Sequence, residues 1–149
     1  MKKKILDSLT DIKEIQSILG LAFDARTYLE EFEWCKKVKD YWYDQEFRVY
    51  NKIGVFLFKI EPSSKEVDNF VWVIVGDIPS VYLDQSIQSG REALKAYCSL
   101  MEEWCENIIN GESISECFPV EAEPSRENAN LLLKRISFIK RELLMEEKE

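Results

Sequence analysis

One acidic residue stands where a buried strand is expected to end. The stretch NFVWVIVGDIPSVYLD holds five uninterrupted apolar residues, Val71 to Val75, directly before Gly76 and Asp77. A carboxylate beside an apolar strand end can have a raised pKa and serve as an acid or a base. The alternative is a turn, in which Gly76 supplies an unusual φ, Asp77 bonds the local backbone and Pro79 fixes the next corner. The sequence favours the turn, because no second acid stands at a readable spacing.

The sequence contains no histidine, which narrows the chemistry available to the chain. Ser-His-Asp and Cys-His catalysis within one chain are excluded, as are metal and haem sites with histidine ligands. The cysteines form no C-x-x-C pair, so no zinc-knuckle or thioredoxin-like motif is present. We expect all of them to be reduced and mostly buried: Cys35, Cys98, Cys105 and Cys117. The sequence therefore predicts no cofactor and no metal, and it favours a protein that is not an enzyme.

An acidic run occupies the second half of the chain. Between Lys95 and Arg126 there is no basic residue, and three of the glutamates lie near the C-terminal end of a predicted helix, where the helix dipole disfavours negative charge. One interpretation is a docking face for a basic protein partner. Its predicted contact residues are Glu102, Glu103, Glu106, Glu112 and Glu116. The alternative is neutralisation within the chain by the basic residues of the last predicted helix: Lys134, Arg135, Lys140 and Arg141.

Aromatic residues form a second group of binding candidates. The segment DYWYDQEF places Tyr41, Trp42 and Tyr43 in succession, and consecutive side chains cannot all face one core. Tyrosine and tryptophan are favoured at the centres of interfaces. We therefore predict Tyr41, Tyr43 and Trp34 as surface anchors. The alternative is that these rings cover the core at a corner of the fold.

The net charge of −8 disfavours nucleic acid as a partner, because a phosphate backbone requires a basic surface. The opening segment MKKKILDSLTDIKEIQ resembles the start of a signal peptide, but its early acidic residues interrupt any apolar region. No run approaches the ~18 apolar residues of a membrane span. The sequence therefore predicts a cytoplasmic protein without a membrane partner, and its 149 residues predict one domain over residues 1–149.

Hydrophobic periodicity predicts helices at both ends of the chain. Apolar residues recur at three- and four-residue steps over Ser8–Leu19, with Ser8 as a possible cap, and over Asp24–Trp42. A capping box at Ser89 opens a helix that ends at Gly111. The last helix starts at Ser125 and carries Ala129, Leu132, Leu133, Ile136, Ile139 and Leu143 on one face.

The middle of the chain has the composition of β-strands. Aromatic and β-branched residues over Phe47–Pro62 and Asn69–Val75 predict two antiparallel strands, and Val81–Leu83 predicts a short third strand. Val71–Val75 shows no alternation, so we expect a central strand that is covered on both faces. The predicted class is α+β: one domain with a small, mainly antiparallel sheet of about three strands, packed by N-terminal and C-terminal helices.

Three motifs carry a resemblance to a known family. The segments VGDIPSVYL, AYCSLMEEW and FPVEAEPSRENANLLLKRISFI resemble small bacterial proteins that are classed as a domain of unknown function, over roughly Asn69–Leu143. This resemblance implies a soluble single-domain protein and supplies no activity. In size, acidity and α+β pattern the chain is also similar in type to the immunity proteins that neutralise bacterial toxins.

Two function hypotheses follow from the sequence. The first is a non-enzymatic protein-binding module, immunity-like, that docks a basic partner through the acidic run, with the aromatic side chains as anchors. The alternative is a carboxylate-based hydrolase or small-ligand-binding domain whose site lies near Asp77 and uses Asp84 or another carboxylate. The sequence leaves the identity of the partner and the oligomeric state open.

Overall fold

The computed structural model describes Lys2–Lys3 and residues 12–145 of the chain. It contains, in chain order, β1 (Lys2–Lys3), α1 (Ile12–Glu30), β2 (Cys35–Asp44), β3 (Ile53–Pro62), β4 (Phe70–Gly76), β5 (Val81–Leu83), α2 (Gly90–Ile109), α3 (Arg126–Phe138) and a π-helical turn (Ile139–Leu144). The predicted α+β class is confirmed. The chain divides into two compact units, the first ending at Ala93 and the second starting at Leu94.

The first unit contains an antiparallel sheet in the order β1-β2-β3-β4-β5. The predicted hairpin is confirmed as β3 and β4, which pair with Phe56 opposite Val73, and the predicted third strand coincides with β5. The predicted number of strands, about three, is smaller than the number observed. The sheet has five strands among the described residues, because β1 and β2 add to the three predicted ones.

The predicted helix over Asp24–Trp42 is wrong in its second half. Helix α1 ends at Glu30, and Cys35–Asp44 is strand β2. Two register irregularities interrupt β2, between Cys35 and Lys37 and between Val38 and Asp40. An extra residue in a strand moves the next inward side chain from a spacing of two to a spacing of three. Buried Cys35 and Val38 therefore imitate the periodicity of a helix.

The start of α1 also differs from the prediction. Ser8 lies outside the described residues, and the two predicted segments are joined in one helix that continues through Gly20. The predicted apolar positions Ile12 and Leu19 are 70% and 42% exposed. The buried face is instead formed by Ile18, Leu21, Ala22, Ala25, Tyr28 and Leu29.

The core of the first unit lies between α1 and one face of the sheet. Alternate residues of β3 and β4 contribute to it: Phe56, Phe58, Ile60, Val71, Val73 and Val75. The remaining residues between them in β4, Trp72 and Ile74, are also buried. Strand β4 is therefore buried on both faces and lies between β3 and β5, which confirms the prediction of a covered central strand.

Helix α2 begins at the predicted Ser89 cap, although the Glu92 carboxylate reaches the Gln88 amide and not the Ser89 amide that the capping box predicts. The Glu92 amide donates to Ser89 Oγ at 3.1 Å, and Glu92 Oε1 accepts from the Gln88 amide at 3.0 Å. The buried Asp44 carboxylate lies against the first residue of the helix, since a Cβ on Gly90 would lie 1.8 Å from Asp44 Oδ2. Any larger residue at position 90 would therefore require the Asp44 side chain to move.

The second unit contains the rest of α2, then α3 and the π-helical turn. The predicted end of α2 at Gly111, with φ +75°, and the Ser125 N-cap, which accepts from the Asn128 amide, are both confirmed. The π-helical turn inserts one residue into the helical repeat, so Leu144 is buried where Leu143 was expected. None of the described helices combines the length and the apolar character that crossing a bilayer requires.

We predict that Gly76→Ala destabilises the protein by about 2 kcal/mol or more, because a non-glycine residue is strained at this φ and its Cβ meets backbone. Gly76 has φ +147°, and a Cβ there would lie 1.8 Å from the Lys52 carbonyl oxygen. Urea denaturation of the wild type and the variant measures the change in the free energy of unfolding.

The matched control is Gly20→Ala within α1, where no atom beyond the neighbouring residues and the backbone of the helix itself lies within 4 Å of the added Cβ. It should stabilise the protein by about 0.5–1 kcal/mol, because alanine has the higher helix propensity. Equal effects of the two substitutions would contradict the assignment of the β4 turn.

Candidate functional site

The residues after β4 form a turn. The Asp77 amide donates to the Lys52 carbonyl at 2.9 Å, and Gly76 supplies the positive φ that the turn needs. The Asp77 side chain is exposed at the surface of the first unit. The structure therefore agrees with the interpretation of Asp77 as a turn residue.

The two carboxylates of the alternative site do not converge. Strands β4 and β5 are antiparallel with Trp72 opposite Leu83, so Asp84 lies level with Val71, at the far end of β4 from Asp77. At ~3.3 Å per residue, the six intervening steps separate the two acids by about 20 Å. Paired catalytic carboxyl groups in glycosidases lie within roughly 10 Å of each other. The register therefore does not bring Asp77 and Asp84 together, and a site that pairs Asp77 with another carboxylate stays a prediction.

Asp84 has a local structural role of its own. Its Oδ1 accepts hydrogen bonds from the Ser86 amide at 2.9 Å and from the Ser86 hydroxyl. Because both bonds favour the ionised form, they lower the pKa of the Asp84 carboxyl below its usual value. This carboxylate is thus a fixed negative charge at the end of β5.

The acidic run is neutralised at one of its predicted contact residues. Lys140 Nζ donates to Glu102 Oε2 at 2.6 Å, and both side chains are about two-thirds buried. The other four predicted contact residues are exposed, and no described residue of this unit forms an ion pair with them: Glu103, Glu106, Glu112 and Glu116. We call these four residues the acidic surface.

Burial and the nearby glutamates of the second unit raise the pKa values of two cysteines, Cys105 and Cys117. Burial, followed by the charges of Glu102 and Glu106, raises the pKa of the Cys105 thiol to about 11. Desolvation and the Glu103 carboxylate also raise the pKa of Cys117. All four cysteines are free thiols and three are buried, so the expectation of reduced, mostly buried cysteines is confirmed. The surroundings do not activate either thiol as a nucleophile.

The three predicted aromatic anchors have different surroundings. Tyr43 is only 1% exposed and packs on Phe56 at a ring-centroid distance of 5.5 Å, so it is not a surface anchor. Alternation along β2 places Tyr43 on the α1 side of the sheet, where the core is. Tyr41 is half-buried on the same side, 5.4 Å from Phe58. Trp34 is half-buried and stacks on Phe32 at 5.0 Å.

The anchors and the acidic surface belong to different units of the fold. Trp34 and Tyr41 lie in the first unit, whereas the glutamates of the acidic surface lie in the second. Neither unit therefore contains a single binding site made of both the aromatic anchors and the acidic surface.

Two surface grooves among the described residues of the first unit were not identified from the sequence. One has a volume of about 510 Å³ and is walled by Leu57, Phe70, Trp72 and nearby amide side chains. The other has a volume of about 220 Å³ and is lined by Trp34, Glu66, Val67, Asp68, Val71, Tyr82, Leu83 and Asp84. The lining residues come from separate chain segments, so only the strand register brings them together. Within the described residues, no group of three or more cysteine or acidic side chains could hold a metal ion.

The match to a protein family gives the chain a classification without an activity. Residues 25–148 match the family described as Domain of unknown function (DUF4826), and the chain belongs to that family. The resemblance to a family of unknown function is thereby confirmed. No curated protein and no solved structure matches the chain.

We predict that Lys140→Met destabilises the protein by about 1 kcal/mol, because it leaves the partly buried Glu102 carboxylate without its cation. The Lys140–Glu102 ion pair is only partly exposed, so water does not fully replace the lost contact. The control Glu103→Gln alters an exposed side chain and should change stability by less than about 0.5 kcal/mol. Chemical denaturation distinguishes the two, and equal losses would contradict a stabilising role for the pair.

Thiol labelling of the native protein at pH 8 should modify Cys117 alone. Cys35, Cys98 and Cys105 are buried, while Cys117 is partly exposed. With a pKa of about 11, Cys105 is only about one-thousandth thiolate at this pH, and the thiolate is the reactive form. Mass spectrometry before and after denaturation reports the sites. The variant Cys117→Ser should remain unlabelled until it unfolds, and rapid native labelling of Cys105 would contradict the burial of α2.

Proposed function

We propose that the protein is a non-enzymatic protein-binding module that docks a basic partner through the acidic surface. The observation that supports this is the difference between Glu102 and its neighbours. Glu102 forms an ion pair with Lys140, whereas the described residues give the four glutamates of the acidic surface no cation. Unpaired exposed charges of one sign accelerate the encounter with an oppositely charged partner and select against like-charged proteins.

The position of two of these glutamates is unfavourable for the helix itself. Glu103 and Glu106 lie three residues apart in the C-terminal half of α2, and the last turn of this helix contains no basic residue. Like charges at this spacing repel each other, and the negative end of the helix dipole adds to the repulsion. Each effect costs a few tenths of a kcal/mol. A role in binding accounts for acidic residues that local stability does not favour.

An immunity-like role is the specific form of this proposal, with a basic toxin as the partner. It is supported by the acidic balance of the chain and by the exposed carboxylates of the second unit. In such a complex, the affinity would depend on complementary charge at the interface, and the association rate would fall steeply with salt.

The experiment compares the wild type with the charge-reversal variant Glu103→Lys/Glu106→Lys/Glu116→Lys. Each tagged protein is used for affinity capture from the native lysate at about 0.01 M and at about 1 M salt, where the Debye lengths are roughly 30 Å and 3 Å. We expect the wild type to retain a basic protein at low salt only, and the variant to lose it at both. The association rate of the isolated pair then gives the salt dependence.

The matched control is Glu31→Lys/Glu33→Lys/Glu46→Lys, which reverses three exposed charges in the first unit. It should retain the partner. The charge-reversal variant should be as stable as the wild type or slightly more so, because lysine suits the C-terminal end of α2. Loss of binding therefore cannot be attributed to unfolding. Equal capture by all three proteins would reject docking through the acidic surface.

A further inference from the structure

The smaller groove of the first unit has aromatic and acidic walls. Its aromatic wall contains Trp34 and Tyr82, whose ring centroids are 5.0 Å apart at an interplanar angle of 56°. Phe32 lies 5.0 Å from each of them, stacked on Trp34 and edge-on to Tyr82. The three rings therefore fix one another, and the aromatic wall is held in place before any ligand arrives.

Three carboxylates line the same groove: Glu66, Asp68 and Asp84. No lysine or arginine is among its lining residues. Asp84 is held by Ser86, and its lowered pKa keeps it ionised over the physiological range. Asp68 Oδ2 accepts from the Gln85 amide at 3.0 Å. This bond ties the loop before β4 to the segment after β5.

The rim of the groove is further braced by Gln85. Its Oε1 accepts from the Phe70 amide at 3.3 Å, where β4 extends past the end of β5. Two hydrogen bonds thus join residues 68–70 to Gln85. The acidic rim and the aromatic wall belong to one braced part of the first unit, and the ordering of the site costs a ligand little.

We propose that this groove binds a small organic cation, an alkylated ammonium ion, against the rings of Trp34 and Tyr82. The faces of aromatic rings attract such cations through their quadrupoles, and the surrounding carboxylates complement the positive charge. The volume of about 220 Å³ is below the 300–1,000 Å³ that is typical of pockets for drug-sized ligands. The ligand is therefore a compact headgroup. The site lies in the first unit and does not use the acidic surface.

The test is a titration of the wild-type protein with choline, followed by the NMR signals of the Trp34 indole and the Tyr82 ring. Tetramethylammonium serves as a second probe, and sodium chloride at matched ionic strength serves as the blank. The carbon isostere of choline has the same shape without the charge. We expect saturable shifts with both cations, and binding of the isostere that is about 3- to 30-fold weaker.

Two variants locate the site. Glu66→Gln/Asp84→Asn removes two charges without changing side-chain size, and we expect choline to bind about 3- to 30-fold more weakly. Trp34→Leu keeps an apolar side chain beside Phe32 and should weaken binding by a similar factor. The control Glu46→Gln, which follows β2 and does not line the groove, should bind like the wild type.

The comparison of choline with its isostere uses only the wild-type protein, so it tests the role of the positive charge even if Trp34→Leu fails to fold. Absence of saturable shifts with choline and tetramethylammonium would overturn the proposal. Equal binding of choline and its isostere would do the same, because the charge would then have no role.

Discussion

Burial of β4 on both faces is the constraint on which the first unit depends. Val71 to Val75 are all buried, although their side chains alternate between the two sides of the sheet. A strand without a solvent face needs neighbours that satisfy its backbone, and β3 and β5 supply them. Its odd-numbered residues, with Phe56 and Phe58 of β3, form the core against α1. The strand leaves this environment only at Gly76, where the positive φ permits a close approach to the Lys52 carbonyl.

The same antiparallel pairing decides which polar side chains meet. Because β5 returns along β4, Asp84 is carried away from Asp77 and brought to the loop that contains Glu66 and Asp68. Tyr82 is the middle residue of β5 and lies opposite Val73. Its side chain therefore faces the α1 side, where it meets Phe32 and Trp34. One pairing thus removes a candidate catalytic dyad and creates a groove with aromatic and acidic walls.

In the second unit, one ion pair distinguishes a neutralised glutamate from its exposed neighbours. Glu102 and Glu103 are adjacent in sequence, yet only Glu102 contacts Lys140 of the π-helical turn. Consecutive residues on a helix are about 100° apart, so a packed neighbouring segment neutralises one and leaves the other exposed. Glutamates with this exposure contribute little to stability in their present positions. They are the residues through which the proposed partner would be recognised.

The sequence by itself determined the features that depend on local chemistry. These include the β3–β4 hairpin, the glycine turn before Asp77, the Ser89 cap and the Ser125 cap, because short-range hydrogen bonds and alternation specify them. The tertiary structure decided the rest. A bulged strand can imitate a helix at Cys35 and Val38, and no local rule reveals that Tyr43 faces the core. Nor does sequence spacing bring Trp34, Asp68 and Asp84 together, because strand register and packing act over long chain separations.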